Sequence, residues 1–178
     1  MNIRDATAQD AATLAAIYGH HVLTGVGTFE EVPPDAAEME RRRARVGELG
    51  LPYVVAEAAG QVLGLAYAAP FRLRAAYRYS VEDSVYVAPE AVRRGIGRLL
   101  LAEVLARCEA LGVRQVIAVI GDSGNAGSRG LHAALGFEPA GVAPGMGWKH
   151  GRWVDVVFMR KSLNGGDRTP PDGPGLSL

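Results

Sequence analysis

What most constrains this chain is one run in its middle, Val81-Glu82-Asp83-Ser84-Val85-Tyr86-Val87, then Pro89, then Val92-Arg93-Arg94-Gly95-Ile96-Gly97-Arg98 leading into an amphipathic stretch. Tyr79 to Ala88 reads as a strand, and Pro89, which has no N–H to donate, helps end its ladder. Arg94 to Leu111 reads as a helix. Ile96, Leu100, Val104, Cys108 and Leu111 form its apolar stripe, Glu103 and Arg107 pair at i,i+4, and Gly112 follows the last turn. Glycines at a helix start let backbone N–H groups approach an anion, and the helix dipole with Arg93, Arg94 and Arg98 favours phosphate there. The run therefore predicts a pyrophosphate cradle; an ordinary helix entry with solvated arginines explains the glycine pair equally well. Two other phosphate motifs fit poorly. A dinucleotide fingerprint needs a third glycine where Leu100 stands and a first glycine close behind its strand, and a Walker loop needs Gly-Lys-Ser/Thr.

Around this run the pattern alternates between strands and helices. Asn2–Arg4 is a short strand, followed by a helix capped by Thr7 or Asp10 with Leu14, Ile17, Tyr18 and Val22 on one face. Gly25 and Gly27 break it. Asp35 caps a second helix through Glu48, with Glu38 in the position of a capping-box acid and Gly50 after its end. Pro52–Ala58 and Gln61–Ala69 read as a hairpin around Ala59-Gly60, Gln115–Ile120 as an apolar strand and Asn125–Leu135 as a helix. Strands are expected again near Phe137–Val142 and Trp153–Arg160. The fold class is α/β with mixed strand directions.

At 178 residues the chain is most simply one domain, over 1–163. The last fifteen residues, 164–178, hold four Gly, three Pro and only two apolar side chains, which predicts a flexible tail. Nineteen Lys plus Arg against nineteen Asp plus Glu leave no net charge, so the electrostatic footprint of a general nucleic-acid binder is missing and any anion site is local. The single cysteine, Cys108, falls on the apolar helix stripe and reads as core. No leader and no apolar run of about 18 residues is seen, which makes the cytosol the default compartment and a membrane partner unexpected. His20 and His21 are adjacent on a helix and nothing completes a ligand spacing, so no metal is expected.

Val85-Tyr86-Val87, the Arg-rich Gly-Ile-Gly, and then Asn125 with Ser128, His132 and Leu135-Gly136-Phe137 together resemble the GNAT-type N-acetyltransferases. Val81–Val87, Ala118-Val119-Ile120-Gly121 and Gly147–Asp155 resemble more closely the branch that acetylates phosphinothricin and methionine sulfoximine. Two positions depart from the pattern: Val92, where the cradle commonly has Arg or Gln, and Gly19, where the branch usually has Asn. The resemblance implies a central mixed sheet of six to seven strands with helices on both faces, acetyl-CoA as co-substrate, a small amine acceptor and a homodimer. Two parallel strands splay, and the pantetheine arm pairs with the open edge of Ser84–Val87. On this reading Val85, Tyr86, Val87, Arg93, Arg94, Gly95, Ile96, Gly97, Arg98, Asn125 and Ser128 hold the cofactor, and the Val87 N–H faces the developing oxyanion.

Attack on a thioester needs a neutral amine, and an α-amino group with a pKa of about 7.7–8.0 is mostly protonated at neutral pH, so a base is required. Glu82 matches the acidic residue proposed as base in the branch; a solvated carboxylate or a partner of Arg78 is its plainer reading. His132 stands where many family members place a tyrosine near the departing sulfur. It could protonate the thiolate, assist the amine through water, or be structural. Phe29 is read as a wall of the acceptor pocket or a core anchor. Arg72, Arg74 and Arg78, in a segment resembling the branch's substrate loop, suit an acceptor carboxylate or phosphinate. Lys149 and His150 belong to the branch's late motif, which a turn between strands would also explain. A non-catalytic acyl-CoA sensor is the competing function, and retention of Glu82, Asn125 and His132 together favours an enzyme.

Overall fold

The computed structural model describes residues 1–178 and contains one seven-stranded mixed sheet. Its strands are β1 (Asn2–Asp5), β2 (Tyr53–Ala58), β3 (Gln61–Pro70), β4 (Ser80–Val87), β5 (Gln115–Gly121), β6 (Glu138–Lys149) and β7 (Arg152–Ser162), in the order β1-β2-β3-β4-β5-β7-β6. Four helices cover it: α1 (Ala11–Thr24), α2 (Ala36–Glu48), α3 (Ile96–Ala110) and α4 (Ala126–Ala134). None is long and apolar enough to cross a membrane. The α/β class, the mixed sheet and the helical cover expected from the sequence are all present.

Each helix forms where its caps and apolar spacing put it. In α1, Leu14, Ile17, Tyr18 and Val22 are buried, as their spacing predicts. Asp35 caps α2 by accepting the Glu38 N–H at 2.7 Å, but Glu38 does not complete a capping box, because its carboxylate is held by Arg41 and Arg42. The α3 stripe is buried through Cys108, whereas Leu111 lies beyond the helix and is exposed. Side chains of β4 alternate: Tyr86 meets Tyr18 and His21 on the α1 face, while Val85 and Val87 lie beside Gly97 of α3. Thus α1 and α2 cover one face, and α3 and α4 the other.

Only β4 and β5 run parallel as neighbours, and they pair only from Ser80↔Gln115 to Asp83↔Ala118. Beyond that point they part, leaving Ser84–Val87 and Val119–Gly121 on the two arms of a V. The final strands also differ from expectation. β6 continues to Lys149 through Pro139, Gly141, Pro144, Gly145 and Gly147, because irregularities at Pro139/Gly141 and Ala143/Gly147 absorb the breakers and an edge strand tolerates them. The 164–178 segment lies against the body: the buried Arg114 donates to Gly166 O at 3.0 Å and Thr169 O at 2.5 Å, Tyr79 to Gly173 O at 2.6 Å, and Leu176 N–H to Arg78 O at 2.8 Å.

Candidate active site

The V is an edge built into the interior of a sheet. Ala88 N–H bonds Leu63 O at 2.9 Å and Phe71 N–H bonds Ser80 O at 3.2 Å, so the even-numbered residues of β4 turn their peptide groups to β3. The odd-numbered residues turn theirs to β5. Val81 and Asp83 find a partner strand there; Val85 and Val87, past the end of the pairing, present N–H groups to open space. His21 donates from Nε2 to the Val87 carbonyl at 2.8 Å, which fixes the strand end. The open space is a cleft of about 980 Å³ that runs from this edge to the start of α3 and the loop before α4.

At the α3 end the backbone is turned by two left-handed residues, Arg93 (φ 61°) and Gly95 (φ 78°). The helix begins at Ile96, two residues later than the sequence suggests, so Arg93 and Arg94 belong to the turn. Arg98 and Leu99 N–H groups bond Gly95 O, at 3.1 and 3.2 Å, and those of Ile96 and Gly97 stay free at the positive end of the dipole. Gly97 sits between the side chains of Leu131, Val85 and Val87, where a larger residue would narrow the cleft. Across the V, Asn125 caps α4 by accepting the Ser128 N–H at 3.1 Å, and both residues line the cleft. Val85, Tyr86, Val87, Arg93, Gly95, Ile96, Gly97 and Arg98 also line it; Arg94 does not.

Two adjacent carboxylates sit where the strands part. Glu82 lines the cleft on the α1 face, and burial pushes its pKa up; the nearby Asp83 charge adds to this and Arg72 opposes it. It has no ion pair with Arg78, whose guanidinium bonds Ala75 O and lies over the Tyr79 ring. Asp83 points to the opposite face, where its Oδ2 meets His132 Nε2 at 3.0 Å, both side chains almost wholly enclosed. His132 Nδ1 donates to Ser128 O at 2.7 Å, so both ring nitrogens are engaged. Burial disfavours the imidazolium, but the Asp83 carboxylate and the Ser128 carbonyl outweigh it and the His132 pKa is raised. His132 thus ties α4 to β4 at the apex of the V, where it also lines the cleft. Asp83 escaped the sequence reading; its signal is an acid at an inward position between Val81 and Val85.

The other wall is the loop between α1 and α2. It crosses β5 so closely at Gly121 that a Cβ there would lie 1.9 Å from Val26 O, and it lays the Phe29 ring against Gly147, 2.4 Å from where a Cβ would stand. Val26, Thr28 and Phe29 line the cleft, as do Tyr18, His21 and Tyr67, none of which the sequence reading placed there except Phe29. Arg72, Arg74 and Arg78 lie outside the cleft lining. Arg72 rests over the Phe71 ring and bonds Phe71 O at 2.8 Å, and its charge reaches Glu82. Lys149 and His150 also lie outside the cleft lining. Lys149 is 3% exposed and its ammonium donates to Thr28 O at 2.7 Å, while His150 Nε2 donates to Gly25 O at 3.2 Å; both hold the loop's backbone and neither faces the cleft.

A strand edge opened inside the sheet, above a glycine-turned helix start, is the arrangement the sequence resemblance implied. The acetyltransferase (GNAT) family model matches residues 16–137. The chain belongs to the GNAT acetyltransferase family. It is 55% identical over 163 residues to a phosphinothricin N-acetyltransferase of Alcaligenes faecalis, covering 92% of this chain and 83% of the relative. It is 39% identical over 164 residues to an L-methionine sulfoximine/L-methionine sulfone acetyltransferase of Pseudomonas aeruginosa, covering 92% and 95%. A crystal structure of a GNAT superfamily phosphinothricin acetyltransferase from Sinorhizobium meliloti in complex with acetyl-CoA superposes with a TM-score of 0.94 at 48% identity, covering 98% of this chain and 94% of that one. The chain is accordingly an acetyl-CoA-dependent N-acetyltransferase. Within this acetyltransferase, the free N–H groups of the strand edge and the α3 start fit an acyl-CoA, whose pantetheine amides and pyrophosphate need such donors.

Proposed function

We propose that this acetyltransferase acetylates the α-amino group of phosphinothricin, methionine sulfoximine or a similar amino-acid-like acceptor by direct attack, with Glu82 as general base. The observation that carries the proposal is a cleft-lining carboxylate without an ion-pair partner, raised in pKa by burial, beside the unpaired edge where the thioester would lie. A base whose pKa is moved toward the working pH both holds and releases a proton readily. The names of the relatives support the acceptor class.

In this scheme the phosphates lie over the Ile96 and Gly97 N–H groups with Arg93 and Arg98 beside them, and pantetheine pairs with Val85 and Val87 along the edge. Asn125 and Ser128 border the arm. The ammonium gives up a proton to Glu82 and the freed lone pair attacks the thioester carbon; the Val87 N–H stabilises the oxyanion; collapse breaks the C–S bond, and CoA leaves as a thiolate that takes up the second proton, the one the nitrogen sheds as the amide forms. His132 acts as a positioning residue through Asp83. Arg72, with Arg74 and Arg78 in the same segment, binds the acceptor's acid group from the rim.

The dimer implied by the resemblance is proposed through the outer β6–β7 edge, where Met146, Trp148 and Trp153 are exposed; sedimentation would read two chains, and one chain would refute it. The acceptor is tested by following thiol release from acetyl-CoA with phosphinothricin, methionine sulfoximine, methionine sulfone, the common amino acids and an alanine-started peptide. Release is expected with the first three at the highest kcat/KM. Preference for the peptide or for an unrelated amine would overturn the acceptor class.

A further inference from the structure

Lys149 ends β6 and is almost fully enclosed, yet no carboxylate pairs with it at ion-pair distance. Burial pushes its pKa down, and Glu31 and Glu30 offset this only from farther away. An enclosed ammonium costs far more than a methionine of the same length, so it has to supply something that a hydrocarbon cannot. What it supplies is one charge-assisted bond to Thr28 O. The next residue repeats the device. His150 (φ 51°) and Gly151 (φ 72°) form the tight left-handed turn between β6 and β7, which aims the imidazole at Gly25 O. Two neighbouring residues therefore grip two carbonyls, one on each side of Val26-Gly27, the stretch pressed onto Gly121.

The same hairpin packs on the β5 side of the V. Gly147, two residues before Lys149 on the same strand, leaves the space that the Phe29 ring fills. Arg152 holds the Asp122 carboxylate at 2.5 Å and Asp155 accepts from Ser123 Oγ at 2.6 Å, fixing the loop that leads to Asn125. From its far side the 25–30 loop is anchored by Tyr18, whose hydroxyl meets Thr28 Oγ1 at 3.0 Å and Glu30 Oε1 at 2.7 Å.

We propose that Lys149 is a positioning residue for the acceptor: through Thr28 it fixes the 25–30 loop, and with it Phe29, as the wall against which the amino-acid-like substrate is held. This rests on the acceptor class proposed above and on Phe29, which lines the cleft, being a wall of the acceptor pocket. Lys149 touches neither substrate. Its loss should therefore loosen the acceptor pocket and leave the acetyl-CoA side, which is built on β4, α3 and α4, as it is.

The test compares Phe29→Ala, Lys149→Met and Lys149→Gln in steady-state kinetics with both substrates varied, and in amide hydrogen exchange over residues 25–30. Lys149→Met should raise KM for phosphinothricin about ten- to a hundredfold, the range of a lost charge-assisted bond, with KM for acetyl-CoA unchanged and faster exchange in the loop. Lys149→Gln, which keeps an N–H donor without the charge, should recover part of the loss. It also carries the test if the methionine variant does not fold. A raised acceptor KM in Phe29→Ala with none in the Lys149 variants would overturn the positioning role alone. No change in Phe29→Ala would overturn the acceptor-wall reading and this inference with it, and equal rises in both KM values would show a general loosening instead.

Discussion

The two halves of the cleft are made of different materials. In the proposed scheme the acetyl-CoA half is a backbone site: N–H groups of Val85, Val87, Ile96 and Gly97, exposed because a ladder stops at Asp83↔Ala118 and a helix starts just after Gly95. The proposed acceptor half is a side-chain site, assembled from the 25–30 loop, Tyr18, Tyr67 and Glu82 with the Arg72 segment at its rim, and its loop is clasped by Lys149 and His150 from a distant hairpin. A backbone site can be rearranged little without refolding the element that carries it. A side-chain site held by a loop can be retuned by single substitutions, which is how one cofactor fold can serve many amines.

Substitutions that separate the halves follow from this contrast. The largest effect is expected at Glu82, where the halves meet: Glu82→Gln should lower turnover at pH 7 by roughly 10²–10⁴-fold, typical for a lost general base, with KM for acetyl-CoA near native. Next comes the backbone half. Gly97→Val puts methyl groups between Leu131, Val85 and Val87, and should raise KM for acetyl-CoA by about tenfold or more as one charge-assisted contact is lost, leaving the acceptor KM unchanged. On the other half, Arg72→Ala should raise KM for phosphinothricin by about tenfold, the loss of one charge-assisted bond, and leave acetyl-CoA alone; an unchanged acceptor KM in both Arg72→Ala and Arg74→Ala would remove this segment from the site.

Smaller effects are expected in stability. Arg114 is buried and the side-chain partners it has, Gly166 and Thr169, lie in the final segment, so a chain ending at Leu163 should lose about 1–3 kcal/mol in denaturant unfolding, as an unsatisfied buried group does, at native turnover. The His132–Asp83 pair gives a pH signature. His132 has its pKa raised in the folded state, so the stability it adds is complete below its unfolded value of about 6.5 and is lost as the pH rises through the folded value. Melting temperature should therefore fall from pH 6 upward in the native protein, and this slope should flatten in Asp83→Asn.

The same contrast explains how far the sequence could be read. Backbone sites announce themselves locally, since Val85–Val87, Pro89, Gly95 and Gly97 are contiguous and their conformational demands are residue-specific. The register that brings Lys149 beneath Thr28, 121 residues away, leaves no such mark, and so the bonds of Lys149 and His150 to the loop are not legible in the sequence. β6 was only partly legible because Pro139, Pro144 and three glycines break its alternation, and only its place at the sheet edge makes those residues tolerable. Asp83 and His132 show the converse: both residues are visible in sequence, but their pairing depends on which face of β4 meets α4.

The most direct measurement of the central claim is the pH–rate profile of the native protein and Glu82→Gln with phosphinothricin, at saturating acetyl-CoA. If Glu82 removes the amine proton, the native rate should climb as the carboxylate ionises, from a value raised above the usual carboxylate range, and then level off. The variant should start far lower and keep rising past that point, toward the pH at which an amine of pKa about 8 loses its proton unaided. Parallel profiles with near-native turnover at pH 7 would contradict the assignment and leave the cleft an acyl-CoA site whose base lies elsewhere.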